Sequence, residues 1–259
     1  MHPPAATSIA NALAAWWLPL LAAPFVGSFL GVLIKRLPAG EQVVLGRSRC
    51  ERCRRPLRAY DMIPVISWLA LRRRCRSCGA PLGWFYPGIE VAALMTAAWA
   101  ASETEGWLLW ASCVLGWALL ALAVIDLRDM ILPDALTLPL VALGVFGGAL
   151  LQGGLPIGNL IGAAGGYAAF FLVAQTYRLL RGREGLGAGD AKLLAAAGAW
   201  ISWQGLPSVV LEAAMVALLV IAVRAAFGET PSRGQRLAFG PYLCLGTWLV
   251  WLYGPLMIE

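Results

Sequence analysis

The chain returns repeatedly to predominantly apolar stretches, most of them long enough to cross a bilayer, and this constrains its fold more than any motif. The first runs from about Ile9 to Ile34 without a charged side chain, and a span needs about 20 predominantly apolar residues. Further stretches lie near 84–102, 107–127, 133–151, 156–178, 190–203, 207–227 and 238–256. Of the 259 residues, 60% are apolar and 13% charged, against about 45–50% and about 25% in a soluble domain. A water-soluble globule is excluded, and the pattern predicts an all-α polytopic membrane protein with about eight transmembrane helices.

Charge placement sets an orientation. Of the 20 Lys and Arg residues, 12 lie between Lys35 and Arg76, and short loops rich in these residues stay in the cytoplasm. The first stretch has no basic residue before it and Lys35-Arg36 directly after it. A cleaved signal peptide shows the reverse, so this reads as an uncleaved helix with its N-terminus outside. Alternation from there places Arg128, then Arg178, Arg181, Arg183 and Lys192, then Arg224, Arg233 and Arg236 at the cytoplasmic side. The outer turns hold Glu103, Glu105, Gln152 and Gln204, and both termini fall outside. The organisation expected is a first transmembrane helix (1–34), a cytoplasmic basic insert (35–83) and a seven-helix membrane domain (84–259). Segment 190–203, short and rich in Gly and Ala, reads as a partial helix opening a cavity. Gly162, Gly165 and Gly166 offer a close-packing face, foremost for packing within the chain. No internal repeat is evident.

In the insert, Cys50-Glu51-Arg52-Cys53 and Cys75-Arg76-Ser77-Cys78 form two C-x2-C knuckles with 21 residues between them. Each sets two thiolates on one tight turn, and two such turns make the all-sulfur tetrahedron that zinc accepts. The spacer is slightly longer than the usual 15–20 residues or so. Gly79 follows Cys78, where a knuckle often needs positive φ. Two disulfides are the alternative, and a reducing cytoplasm opposes them. A closed four-thiolate site has no open position for water, so its expected role is to fold the insert. Cys113 and Cys244 fall inside spans and read as small buried apolar side chains. Only Tyr60 and Trp68 interleave with the arginines of the insert, and a tethered basic loop meets anionic lipid first. Membrane lipid, and no nucleic acid, is the expected partner.

Ionisable side chains inside spans mark functional sites by default. Asp126, Asp190 and Glu90 are threaded to the cytoplasmic third of the bilayer. Asp190 closes Gly187-Ala188-Gly189-Asp190, where glycines allow close backbone approach and a helix start favours an acid. Two carboxylates from different helices in a low-dielectric pocket hold one proton between them. The ionised partner can then activate water while the protonated one polarises a carbonyl. Asp190 as a plain helix cap, with Asp126 paired to Arg128 or Lys192, is the structural alternative. A proton-coupled transporter relaying protons through Asp126, Asp190 and Glu90 is another, although the inverted repeats expected of it are not found. A zinc-ribbon scaffold without catalysis would leave the acids without a purpose. Asp134 reads as a helix-start residue and Asp129 as part of a solvated turn. The one histidine, His2, lies in the tail, which sets aside histidine-dependent hydrolysis.

Gly27-Ser28-Phe29-Leu30, Arg36-Leu37-Pro38, the two knuckles with Ile63-Pro64-Val65-Ile66-Ser67-Trp68 between them, and Tyr86-Pro87 before Glu90 resemble the N-terminal half of bacterial type IV prepilin peptidases. Asp126 through Leu132-Pro133-Asp134, then Gly187-Ala188-Gly189-Asp190-Ala191-Lys192-Leu193, then Phe239-Gly240-Pro241-Tyr242 resemble their catalytic half. The resemblance implies a multi-pass aspartic endopeptidase of the bacterial inner membrane with periplasmic termini. Such an enzyme removes the basic leader of prepilins and type II secretion pseudopilins at the cytoplasmic face, typically after Gly. It then methylates the new N-terminal residue, commonly Phe, from S-adenosylmethionine. Carried over by motif, Asp126 and Asp190 are the catalytic aspartates, and Cys50, Cys53, Cys75 and Cys78 the metal-binding thiols. One departure bears on methylation: the family usually has Asn after Gly27-Ser28-Phe29-Leu30, and this chain has Gly31. No G-x-G-x-x-G follows a strand, so the sequence leaves the methyl-donor site unassigned.

Overall fold

A computed structural model describes residues 15–43, 48–50, 52–182, 187–228 and 238–256. His2, Arg47, Glu51, Arg183, Arg233 and Arg236, which the sequence reading used, lie outside the described residues. Those described are helical, with two isolated β-bridges and no strand. The helices are α1 (Trp17–Arg36), α2 (Ile66–Ala70), α3 (Phe85–Glu103), α4 (Gly106–Asp129), α5 (Asp134–Gln152), α6 (Ile157–Arg181), α7 (Ala188–Ala226) and α8 (Gly240–Tyr253). Six of the eight threaded apolar segments each overlap a helix of their own, and the remaining two, 190–203 and 207–227, share α7. Four of these, α1, α4, α6 and α7, are long and apolar enough to cross a membrane.

The chain divides into two compact units, Met1–Ala121 and Leu122–Glu259, with the division inside α4. In the first, α1 packs on α3 through a glycine contact: a Cβ on Gly27 would lie 2.6 Å from Glu90 Cα. The indole N–H of Trp117 donates to the Ala93 carbonyl, 3.0 Å away, and ties α4 to α3.

In the second unit α7 is the central element, packed against α5, α6 and α8. It departs from the expected pair of spans 190–203 and 207–227. The helix runs through both and breaks at Ser202, whose φ of 67° and ψ of 170° lie outside the helical region. Pro207, without an N–H, and Gly205 follow the break and suit a restart rather than an uninterrupted ladder. The half 188–201 is tightly packed. Ala191, Leu193–Ala197 and Ala199 are almost fully buried, and the small residues serve close backbone packing. Gly198 and Gly162 meet backbone to backbone, and a Cβ on Gly166 would sit 2.6 Å from the Leu194 carbonyl oxygen. Gly162 and Gly166 therefore pack within the chain as expected, whereas Gly165 has open space at its Cβ position.

Candidate functional site

Asp126 lies near the C-terminal end of α4 and Asp190 in the first turn of α7, 6% and 8% exposed respectively. Both belong to the second unit. The backbone N–H of Gly240, the first residue of α8, donates to Asp126 Oδ2 at 3.0 Å. A Cβ at residue 240 would lie 2.6 Å from that oxygen, so only glycine lets the backbone come this close. Asp190 Oδ2 accepts the Gly187 N–H at 3.2 Å, which closes the first turn of α7 in the manner of an N3 acid. A Cβ on Gly189 would meet Leu132 at 2.9 Å, so this glycine brings the start of α7 against the loop that follows α4. Asp126 and Asp190 are close enough for the charge of one to act on the other. Cys244, one turn into α8, is 3% exposed, buried as expected.

The structural alternative for the acids fares as follows. Asp190 does satisfy a helix start, but Lys192 pairs with Asp134 at 2.5 Å rather than with Asp126. Asp134 opens α5 as expected, and Asp129 is exposed at the end of α4. Glu90 belongs to the first unit, where it is 5% exposed. It accepts the Val65 N–H at 2.8 Å and a hydrogen bond from Ser28. The arrangement in the second unit can therefore hold two carboxyl groups in an apolar setting, one of them fixed by a backbone donor.

The four thiols converge in the first unit. The Sγ atoms of Cys50, Cys53, Cys75 and Cys78 lie within 4.8 Å of one another, with Cys50 and Cys78 3.9 Å apart. A zinc tetrahedron with bonds of about 2.3 Å has sulfur–sulfur edges of about 3.8 Å, so the cluster can hold such an ion. The Ala80 backbone hydrogen bond lowers the Cys78 thiol, but desolvation and the other three sulfurs outweigh it and push it up to about 11.

The expectation of no internal repeat fails here. The Cys50 N–H donates to the Arg55 carbonyl and the Cys75 N–H to the Ala80 carbonyl. Leu57 bonds back to Ser48 as Leu82 does to Arg73. The bridges Arg49–Pro56 and Arg74–Pro81 match in the same way. Residues 49–57 and 74–82 share the pattern R-C-x-x-C-x-x-P-L, a signal too short to stand out among helix-length segments. Gly79 has φ +68°, as anticipated, and Arg54 occupies the equivalent place at φ 56°.

Sequence reasoning also missed the role of Gly240 as a donor to Asp126. Phe239-Gly240-Pro241-Tyr242 was the available signal, since a proline one residue into a helix fixes where its first N–H groups point.

The family described as "Bacterial Peptidase A24 N-terminal domain" matches residues 21–104, and the "Type IV leader peptidase family" matches residues 113–223. A protein of Aeromonas salmonicida (strain A449) named prepilin leader peptidase/N-methyltransferase is 38% identical, over 88% of this chain and 87% of its own length. The chain belongs to the type IV leader peptidase family. Among other relatives of the same name, that of Stutzerimonas stutzeri is 35% identical over 94% of this chain and 92% of its own length. That of Pseudomonas aeruginosa is 36% identical over 88% and 87%. Within this family the chain carries both regions, the cysteine-bearing one and the one with the two acids. No solved structure matches it.

Proposed function

We propose that this chain is a membrane-embedded aspartic endopeptidase that removes the leader of type IV prepilins and type II secretion pseudopilins at the cytoplasmic face, then N-methylates the exposed residue. The observation that carries it is the Gly240 N–H on the buried Asp126 at one helix end, with Asp190 buried at the start of another within range of its charge. The names of the relatives support both activities. In this reading the pair holds a single proton. The ionised carboxylate takes a proton from water, and the hydroxide oxygen adds to the carbonyl carbon of the scissile peptide. The other carboxyl protonates the carbonyl oxygen. Collapse of the tetrahedral intermediate breaks the C–N bond, and the leaving amine takes up a proton from the carboxyl pair. Gly240 holds Asp126 in place.

The bacterial inner membrane, a cytoplasmic insert and periplasmic termini complete the reading, on the strength of the basic residues. A prepilin keeps its apolar helix in the bilayer and its basic leader in the cytoplasm, so substrate and acids meet at one depth. Helix packing in two dimensions supplies much of the orientation. Cys50, Cys53, Cys75 and Cys78 would hold a structural zinc that folds the insert, residues 35–83. When bound, S-adenosylmethionine supplies the methyl group.

The test is to incubate purified protein with a prepilin, with and without S-adenosylmethionine, and weigh the products. Asp126→Asn and Asp190→Asn should each lower leader removal by about a hundredfold or more while zinc content stays normal. Cleavage at the wild-type rate by both variants would end the assignment.

A further inference from the structure

Within the first unit, α2 and the residues before it hold an apolar face that the rest of the chain leaves open. Ile66 is 65% exposed and Leu69 60%, and Met62 and Ile63 beside them are exposed as well. Ile66 and Leu69, three residues apart, share one side of the short helix. Trp68 turns inward instead: its ring packs on that of Trp84 at 4.4 Å, and its indole N–H donates to the Leu82 carbonyl.

Two contacts fix how deep this face lies along α1. Val65, which opens α2 at φ 58°, gives its N–H to Glu90 Oε2 at 2.8 Å, and the Cα of Glu90 meets Gly27 of α1. Trp84 stands directly before Phe85 and Tyr86, and a Cβ on Gly31 would lie 2.7 Å from the Tyr86 ring. The apolar face therefore runs alongside α1 between Gly27 and Lys35, and not beyond its end. Gly31 precedes Arg36 by five residues, about 7 Å of helix. α1 is long and apolar enough to cross a membrane, and its Phe25 and Phe29, close to Gly27, are exposed. The open face of α2 thus continues the lipid-facing surface of a span. Interfacial helices bury an apolar face about 5–10 Å into the boundary between headgroups and acyl chains. Arg72, Arg73 and Arg74 follow α2 directly and are exposed, with Arg73 over the rings of Trp68 and Trp84. Tryptophan and arginine side chains favour that boundary, with apolar parts inward and polar ends toward the headgroups.

We infer that residues 62–70 are embedded in the bilayer surface as a monotopic element. Ile63, Ile66 and Leu69 lie among phospholipid acyl chains, and Arg72 and Arg74 meet the phosphates. The choice of the inner leaflet rests on the orientation proposed above; the bilayer contact rests on depth along α1. The second knuckle starts at Cys75, directly after Arg74, so this anchor holds the metal-binding turns against the membrane rather than free in the cytoplasm.

The test uses the full chain, purified with its metal and reconstituted into nanodiscs of phosphatidylcholine and phosphatidylglycerol. Some of the phosphatidylcholine carries a diazirine near the glycerol end of an acyl chain. The wild type is irradiated and its tryptic peptides are mapped by mass spectrometry. The peptide of residues 59–72, released by cleavage after Arg58 and Arg72, is expected to carry lipid adducts. In a second arm, p-benzoylphenylalanine stands in place of Ile66, Leu69 or Ser77, the last an exposed residue of the second knuckle. Lipid adducts are expected at least tenfold more abundant from positions 66 and 69 than from 77, in protein of wild-type zinc content. A wild-type peptide 59–72 without adducts, equal labelling from position 77, or crosslinks from 66 and 69 to protein in place of lipid overturns the inference. The wild-type arm needs no variant to fold. Prepilin cleavage is assayed in the same discs: cleavage without adducts overturns this inference alone, and adducts without cleavage overturn the proposed activity alone.

Discussion

At residue 240 a missing side chain sets the geometry of a carboxylate. Asp126 is held by the Gly240 N–H at 3.0 Å, and in this approach a Cβ on residue 240 would lie 2.6 Å from the same oxygen. Gly240→Ala should therefore push the Asp126 carboxylate off its place by a fraction of an ångström. Misplacing a catalytic group by about 1 Å can cost about a hundredfold in rate, so a fall in kcat of about ten- to a hundredfold is expected, read from the rate of prepilin cleavage with protein of unchanged helicity. Asp126, Asp190 and the four cysteines were legible as candidates because their residue types are costly or unusual where they stand. Gly240 was not legible as a partner of Asp126, because glycine is common in this chain and its value here depends on residue 126 lying opposite.

At the scale of elements, small residues and paired turns carry the architecture. The contact of α6 with α7 closes on Gly162 and Gly198, whose backbones touch. Gly198→Leu should force the helices apart and cost about 1–3 kcal/mol, visible as a lower Tm and as impaired leader removal, since the same half-helix carries Asp190. The cysteine knuckles form the second case. Each turn alone offers two thiols, and the metal would supply the link between the turns. Cys50→Ser or Cys78→Ser should reduce zinc affinity at least about a hundredfold and loosen the insert, as read by metal analysis and limited proteolysis; wild-type protein purified without any zinc would refute the ribbon. Apolar runs located the helices to within a few residues, but they divided α7 into two spans. The break at Ser202 is a single backbone conformation, and hydropathy averaged over a helix length cannot resolve one residue.

For the whole molecule, the orientation proposed from the basic residues can be tested with the cysteines themselves. Cys78 is exposed, whereas Cys113 and Cys244 are buried. After metal chelation, a membrane-impermeant thiol reagent should label the chain in inverted vesicles and leave it unlabelled in right-side-out ones; strong labelling from the outer side would reverse the topology.

The sequence by itself determined that this is a helical membrane protein with a four-cysteine insert, because the cost of polar groups in hydrocarbon and the chemistry of thiolates act on residue types wherever they lie. Only the tertiary structure decided that the Gly240 N–H reaches Asp126, that Asp190 lies within range of the Asp126 charge, that Glu90 takes the Val65 N–H within the first unit, and that Arg54 matches Gly79. Those relations join residues up to 114 positions apart, and such distances are closed by backbone approach at individual glycines, which composition and periodicity do not encode.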